Sequence, residues 1–274
     1  AGATILGGDD KVGLAAIVEA IRRLREEQGA HAEVRAVLTV SEERGLLGAK
    51  ALAHDDCAAD VCLVLDADGA VGGVVTAAPT HYTFTATFTG TAAHAGVEPE
   101  HGRSAIVMAA TAVSAMEIGR LDPQTTANIG TIVGGSATNV VAPRCDVTGE
   151  CRSLDRSRAE AVRGSMDSAL REAAAAHGGT VEVTWTLEYE GFAFDADAPA
   201  VALVEAACGD IGVTPRRFAT GGGSDGNVFA AHGVPALVLS SGMAKVHSTD
   251  EELEVAQLER LADLLVAVAR RAAG

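Results

Sequence analysis

Several things are missing from the sequence, and each absence removes a class of function. No charge-free apolar run is long enough to span a bilayer, although apolar residues make up 48% of the 274. A helical membrane protein is therefore excluded and a globular chain expected. Basic residues are scarce: 21 Lys and Arg stand against 37 Asp and Glu, a formal net charge of −16. Such a surface repels phosphate backbones and anionic lipid, so neither nucleic acid nor membrane is expected as a partner. The five cysteines, Cys57, Cys62, Cys145, Cys151 and Cys208, include no CxxC pair. An odd, scattered set points to reduced thiols in a cytoplasmic protein. Neither a secretory signal nor an initiator Met opens the chain, and Ala3-Thr4-Ile5-Leu6 reads as an inner strand already under way. The expectation is a piece that begins mid-domain.

What is present reads as alternating structure. An amphipathic helix follows Ala3 to Leu6, with Leu14, Ile17, Val18, Ile21 and Leu24 on one stripe. Glu33 to Val40 predicts a second strand and Leu46 to His54 a short helix. Val61 to Leu65 predicts a third strand, apolar enough for burial on both faces. The pattern then changes. In His81 to Gly90 strict alternation puts Tyr82, Phe84, Ala86 and Phe88 on one face, as in a half-covered antiparallel strand. A helix near Ser104 to Glu117 follows, then strands near Ala127 to Val133 and Asp146 to Arg152. A helix at Arg156 to His177 and a strand at Thr180 to Glu188 complete a βαββαβ, ferredoxin-like order. Beyond Glu190 come a helix at Pro199 to Ile211, a strand at Ala236 to Leu239 and a helix at Glu251 to Ala272. The expected fold is α/β: an open, mostly parallel sheet with helices on both faces, built from 1–79 and 191–274. An α+β domain at 80–190 interrupts it.

Four acidic or histidine positions fall just after predicted strands, where open α/β sheets build their sites. They are Asp9, the pair Glu42-Glu43, Asp66 and His247. Each has a bland reading. Asp9 or Asp10 suits a helix N-cap, Glu42-Glu43 a solvated loop, Asp66 an Asx turn, and His247 an ordinary surface or core position. Their agreement shifts the balance, because several hard ligands at equivalent ends of one sheet repel unless a cation offsets them. Carboxylates with imidazole suit zinc, with manganese or cobalt as substitutes.

The strings GGDDKVGLAAIVEA, SEERGLLGAK, LDADG, GTAAHAGVEPEHGRSA, GRLDPQTTANIGTIVGG, ATNVVAPR, ECRSLD, GGGSDGNVF and VHSTDEE occur in this order. Together they resemble the peptidase T-like branch of the aminoacylase and glutamate carboxypeptidase family of di-zinc hydrolases. The resemblance implies two divalent ions, with Asp9 bridging them, Glu43 and His247 completing one site and Asp66 serving the other. It implies that Glu42 is the general base for a metal-bridging water. His94 would reach the substrate carbonyl or carboxylate, typically across a dimer interface, and Asn139 and Arg152 would hold a peptide's terminal carboxylate. The bland alternatives are a turn histidine, a turn asparagine and a surface strand charge. Gly222, Gly223 and Ser224 read as a substrate loop, since they lack both the P-loop Lys-Ser/Thr and the GxSxG context of a serine nucleophile.

The family's upstream His-x-Asp element is absent: no His precedes Asp9. One metal site is then short of a ligand, and the chain as it stands is expected to be weakly active or inactive. The implied activity is hydrolysis of short peptides from the amino end by a homodimer joined through the inserted domain. The alternatives are an N-acyl amino acid deacylase or carboxypeptidase, and a non-catalytic peptide-binding paralogue.

Overall fold

The computed structural model describes residues 2–274, His54 through its backbone alone; Ala1, the first residue of the expected 1–79 segment, lies outside them. The chain divides into two compact units, Ala1–Ala78 with Phe192–Gly274, and Pro79–Gly191. In chain order the first contains α1 (Gly8–Glu26), α2 (Leu47–Ala51), α3 (His54–Cys57), β1 (Cys62–Ala67) and β2 (Gly73–Ala78). The second contains β3 (Thr80–Thr89), α4 (Ala105–Ala115), β4 (Gly119–Asp122), β5 (Thr125–Gly134), β6 (Arg144–Ser153), α5 (Arg156–Ala176) and β7 (Thr180–Tyr189). The chain then returns to the first unit with β8 (Phe192–Ala193), α6 (Pro199–Asp210), β9 (Arg216–Ala219), α7 (Asp225–Ala231) and β10 (Ala236–Ser240). It ends with β11 (Met243–Ala244), β12 (Glu252–Leu253) and α8 (Val255–Arg271).

In the first unit the sheet runs β1-β10-β2-β8, and β9 also pairs with β2. It is mixed: β1–β10 and β2–β9 are parallel, whereas β2 opposes β10 and β8. Strand β10 is buried along its length, and alternate residues serve opposite faces. Leu237 and Leu239 join Val12 and Ala16 of α1, Val204 of α6 and Leu261 and Leu264 of α8 in one core. On the other face α7 lies so close that a Cβ on Gly226 would come within 2.7 Å of Val238.

Two strands expected from the sequence do not form. Ala3 to Leu6 and Glu33 to Val40 carry no strand assignment, and Ile5, Leu38 and Val40 are each more than half exposed. Their apolar pattern specifies a face, but a strand also needs a neighbour to take its backbone hydrogen bonds. For the same reason β1 is only partly buried: it pairs with β10 on one side alone. In α1 the buried stripe is Val12, Ala16, Ala20 and Leu24, while Leu14 and Val18 point outward. Along this i, i+4 row Ala20 and Leu24 pack against Val266 and Ala269 of α8.

The second unit is an antiparallel sheet of order β4-β5-β6-β3-β7 with α4 and α5 on one face. Tyr82, Phe84, Ala86 and Phe88 of β3 all face that core. Phe84 packs against Gly149, its partner on β6; a Cβ there would meet its ring at 2.5 Å. Burying Phe84 and Phe88 contributes roughly 1.5–3 kcal/mol each. Helix α5 starts where Asp155 accepts from the backbone N–H of Ser157 at 2.8 Å and Arg158 at 3.3 Å, a cap worth about 1 kcal/mol.

Candidate metal and catalytic site

Asp9 and Asp10 divide the work at the start of α1. The Asp10 carboxylate accepts the Gly13 N–H at 2.9 Å, so it caps the helix. That frees the neighbouring Asp9, whose Oδ2 lies 3.0 Å from His247 Nε2. The peptide between the two aspartates is cis.

Glu42 to Arg44 form a single 3₁₀ turn between two left-handed residues, Ser41 (φ 57°) and Gly45 (φ 94°). The tight turn sends its two glutamates in different directions. Glu43 Oε1 reaches His247 Nε2 at 3.0 Å, whereas Glu42 is partly buried. His247 itself has φ 61°, a conformation that costs a non-glycine residue on the order of 1–3 kcal/mol and clusters at functional sites.

One ligand atom each from Asp9, Glu43 and His247 lies within 4.8 Å of the others. Donor atoms about 2.0 Å from a tetrahedral zinc stand roughly 3.3 Å apart, so the 3.0 Å separations around His247 Nε2 need only a small expansion. Oxygen and imidazole donors suit that ion chemically. Asp66, at the end of β1, is not one of these three.

The carboxylates nearby are held away from ionisation. Burial, then Glu42 and Asp9, push Asp66 up to about 9. Burial, then Glu43, Asp225 and Asp9, push Glu42 up to about 7. Burial and Glu43 raise Asp9, while hydrogen bonding to Glu43 raises His247. Asp225 is 6% exposed and takes a hydrogen bond from Thr39 Oγ1 at 2.5 Å; its other oxygen, Oδ1, is buried without a hydrogen-bond partner among the described residues. So much crowded negative charge fits a site made for cations.

Ser224 is 5% exposed and builds the N-cap of α7: its Oγ accepts from Gly226 N at 3.2 Å, and its own N–H donates to Asn227 Oδ1 at 3.1 Å. Gly222 donates its N–H to Thr220 Oγ1 at 3.1 Å, and Gly223 completes the turn into that cap.

In the second unit, two loops form a small ladder that brings His94 and Asn139 together. His94 bridges Val140, and Ala95 N–H donates to the Asn139 carbonyl at 2.9 Å. Both His94 and Asn139 are exposed. Arg152 lies on β6. Its Nη2 donates to Glu150 Oε2 at 2.8 Å and its Nη1 to Tyr189 Oη at 3.4 Å. The same Glu150 oxygen lies 2.9 Å from His81 Nε2, and the His81 and Tyr189 rings are 5.1 Å apart.

Asp225, Glu251, His81 and Glu150 carry no local signal in the sequence. Asp225, Glu251 and Glu150 lie within GGGSDGNVF, VHSTDEE and ECRSLD, but only tertiary packing distinguishes them from solvated acids.

A protein of Bacillus subtilis (strain 168), described as uncharacterized protein YqjE, is 43% identical over 272 residues, covering 99% of this chain and 73% of its own. The crystal structure of the aminopeptidase PepT from Bacillus cereus superposes with a TM-score of 0.93 at 43% identity. The match covers all of this chain and 73% of that one. A tripeptidase from Staphylococcus aureus superposes with a TM-score of 0.95 at 38% identity, over 99% of this chain and 73% of that one. The model for peptidase family M20/M25/M40 matches residues 7–271. The match takes in Asp9, Glu42, Glu43, Asp66 and His247, and the chain belongs to that family of hydrolytic enzymes, in its peptidase T-like branch.

Proposed function

We propose that this protein hydrolyses an amide bond in short peptides, releasing the amino-terminal residue, with divalent metal ions as cofactors. The observation that carries the reading is the meeting of Asp9, Glu43 and His247 within 4.8 Å. The names of the Bacillus cereus and Staphylococcus aureus neighbours, an aminopeptidase and a tripeptidase, support the substrate class.

Members of the family generally depend on two metals. Here Asp9, Glu43 and His247 would hold one ion, and Asp66 with Asp9 the other; the mixed oxygen and imidazole donors favour zinc. Bound cations supply Lewis acidity, polarising a carbonyl and acidifying water. The remaining work falls to the chain. Glu42, adjacent to Glu43 and partly buried, would take a proton from water and give it to the departing amine. Arg152 and Asn139 would hold the peptide's free carboxylate, His94 would reach its carbonyl, and Gly222 and Gly223 would let backbone approach it.

The Ala1–Ala78 and Phe192–Gly274 unit is on this reading the catalytic one, and the Pro79–Gly191 unit the lid and dimerisation element. A homodimer is supported by β5, which pairs with β4 only as far as Ala127 and leaves an open edge beyond. The five cysteines form no disulfide among the described residues, in keeping with a cytoplasmic setting. No helix among the described residues is long and apolar enough to cross a membrane.

The test is an assay of the protein expressed from its complete reading frame, with zinc or manganese, on tripeptides, dipeptides and N-acetyl amino acids. Release of the first residue from tripeptides is expected. Turnover confined to N-acetyl amino acids would replace the peptidase reading with a deacylase, and no turnover of any of them despite bound metal would favour a binding protein.

A further inference from the structure

The chain buries one glutamate that no role described above uses. Glu251 is 1% exposed, and a carboxylate is almost never that deeply buried unless it is paired or richly hydrogen-bonded. It accepts the N–H of Gly7 at 2.7 Å through Oε2 and the N–H of Asp9 at 3.0 Å through Oε1. Both donors belong to the non-helical entry to α1, whose first N–H groups have no partner within the helix. A residue some 240 positions further along the chain thus does the work of a local cap.

We propose that Glu251 is a positioning residue: it fixes the backbone of Asp9, and through it the Asp9 carboxylate, against His247. The inference rests on the metal-site reading above.

Three observations carry it. Glu251 lies four residues after His247, and its own N–H donates to the Ser248 carbonyl at 3.2 Å, which ties it to the loop that presents the imidazole. At the other end the carboxylate holds Asp9, whose Oδ2 stands 3.0 Å from the same imidazole. The Asp9 and His247 segments are therefore joined twice, once through their side chains and once beneath through Glu251. Finally, Gly8 passes directly over the carboxylate: a Cβ on it would stand 3.0 Å from Glu251 Oε1, so any larger residue there would press on the contact.

Loss of a group that orients a metal ligand typically weakens metal binding 10–100-fold. The experiment measures zinc affinity by competition with a chromophoric chelator, and the visible spectrum of the cobalt-loaded protein, in protein from the complete reading frame. Glu251→Gln keeps the shape but replaces one acceptor oxygen with a donor facing an N–H. It is expected to bind zinc about 10–100-fold more weakly and to shift the cobalt spectrum. Glu252→Gln removes an adjacent, 60% exposed carboxylate and is expected to leave both unchanged, which separates position from net charge. Gly8→Ala presses on the same contact from the other side and is expected to weaken zinc binding too; it decides the matter if Glu251→Gln does not fold. Wild-type affinity and spectrum in a folded Glu251→Gln, or in Gly8→Ala where that variant decides, would overturn the proposal while leaving the metal site standing. A wild-type protein that takes up no metal would remove both.

Discussion

Asp9 and His247, 238 residues apart in sequence, meet with Oδ2 and Nε2 3.0 Å apart, and Glu43 joins them at the same nitrogen. If these side chains ligate metal and Glu42 moves protons, their substitutions must separate binding from turnover. His247→Ala removes the nitrogen donor and is expected to lower bound metal, read by elemental analysis after dialysis. Glu42→Gln is expected to keep metal content near wild type while kcat falls about 10²–10⁴-fold. A Glu42→Gln enzyme with near-normal kcat would show that another group is the base.

How much of this could be read in advance varies with how local each signal is. The β3 face was legible because Tyr82, Phe84, Ala86 and Phe88 alternate within a single strand and all bury. The buried face of α1 was legible only in part: Leu24 buries and Ile17 packs against the core, but Val12, Ala16 and Ala20 complete the stripe, and the larger Leu14 and Val18 point outward. Glu33 to Val40 has a strand's composition without a ladder partner, which no local pattern discloses. Within the site, the adjacency of Glu42 and Glu43 was plain, but that Glu43 meets His247 while Glu42 is partly buried is set by the tertiary fold. Glu251 and Asp225 read as ordinary helix-entry acids, and only burial among residues distant in sequence makes them unusual.

The raised carboxylates predict an uncommon pH dependence for the metal-stripped protein. Glu42 at about 7 and Asp66 at about 9 both lie well above the ordinary carboxylate range of the unfolded chain. The folded protein therefore binds more protons than the unfolded one across that interval, and stability falls as pH rises through it. His247, raised by Glu43, acts in the same direction, since its interaction is lost as pH climbs through its folded pKa. Carboxylates held low, such as Glu150 at about 2, are ionised in both states here and add no slope. Chelated protein is expected to melt at a lower temperature at about pH 8 than at about pH 6. Zinc should flatten or reverse the trend, because ligation favours the deprotonated carboxylates. A melting temperature that rises over that interval without metal would contradict these shifts.

The open edge of β5 makes the dimer testable without touching the acidic cluster. Beyond Ala127 the strand has no neighbour on the β4 side among the described residues, and Ile132 and Val133 are 50% and 68% exposed. Ile106 and Val107 of α4 add 41% and 46% exposed apolar side chains, and Ile106 reaches the end of β5 beside Gly135. Sedimentation at micromolar concentration is expected to give a dimer. Ile132→Lys should shift it to monomer, since a lysine on an edge opposes strand pairing. The melting temperature of the monomer unit should barely move, because an exposed substitution typically changes stability by about 0.5 kcal/mol or less. A wild-type monomer, or a dimer indifferent to the lysine, would send the interface elsewhere.

Arg152 offers the sharpest test of substrate recognition. Its guanidinium is held by Glu150 at 2.8 Å, and that same carboxylate oxygen meets His81 at 2.9 Å, so the arginine is oriented before any ligand arrives. A pre-set fork matches a carboxylate with two parallel hydrogen bonds. If it holds the free carboxylate of a peptide, Arg152→Ala should raise KM for a tripeptide about 10–100-fold and leave KM for the corresponding peptide amide almost unchanged. Glu150→Gln should move KM in the same direction by less, since the arginine keeps its charge and loses only its orientation. Equal losses on the acid and the amide would mean that Arg152 supports the sheet and does not read the peptide's end.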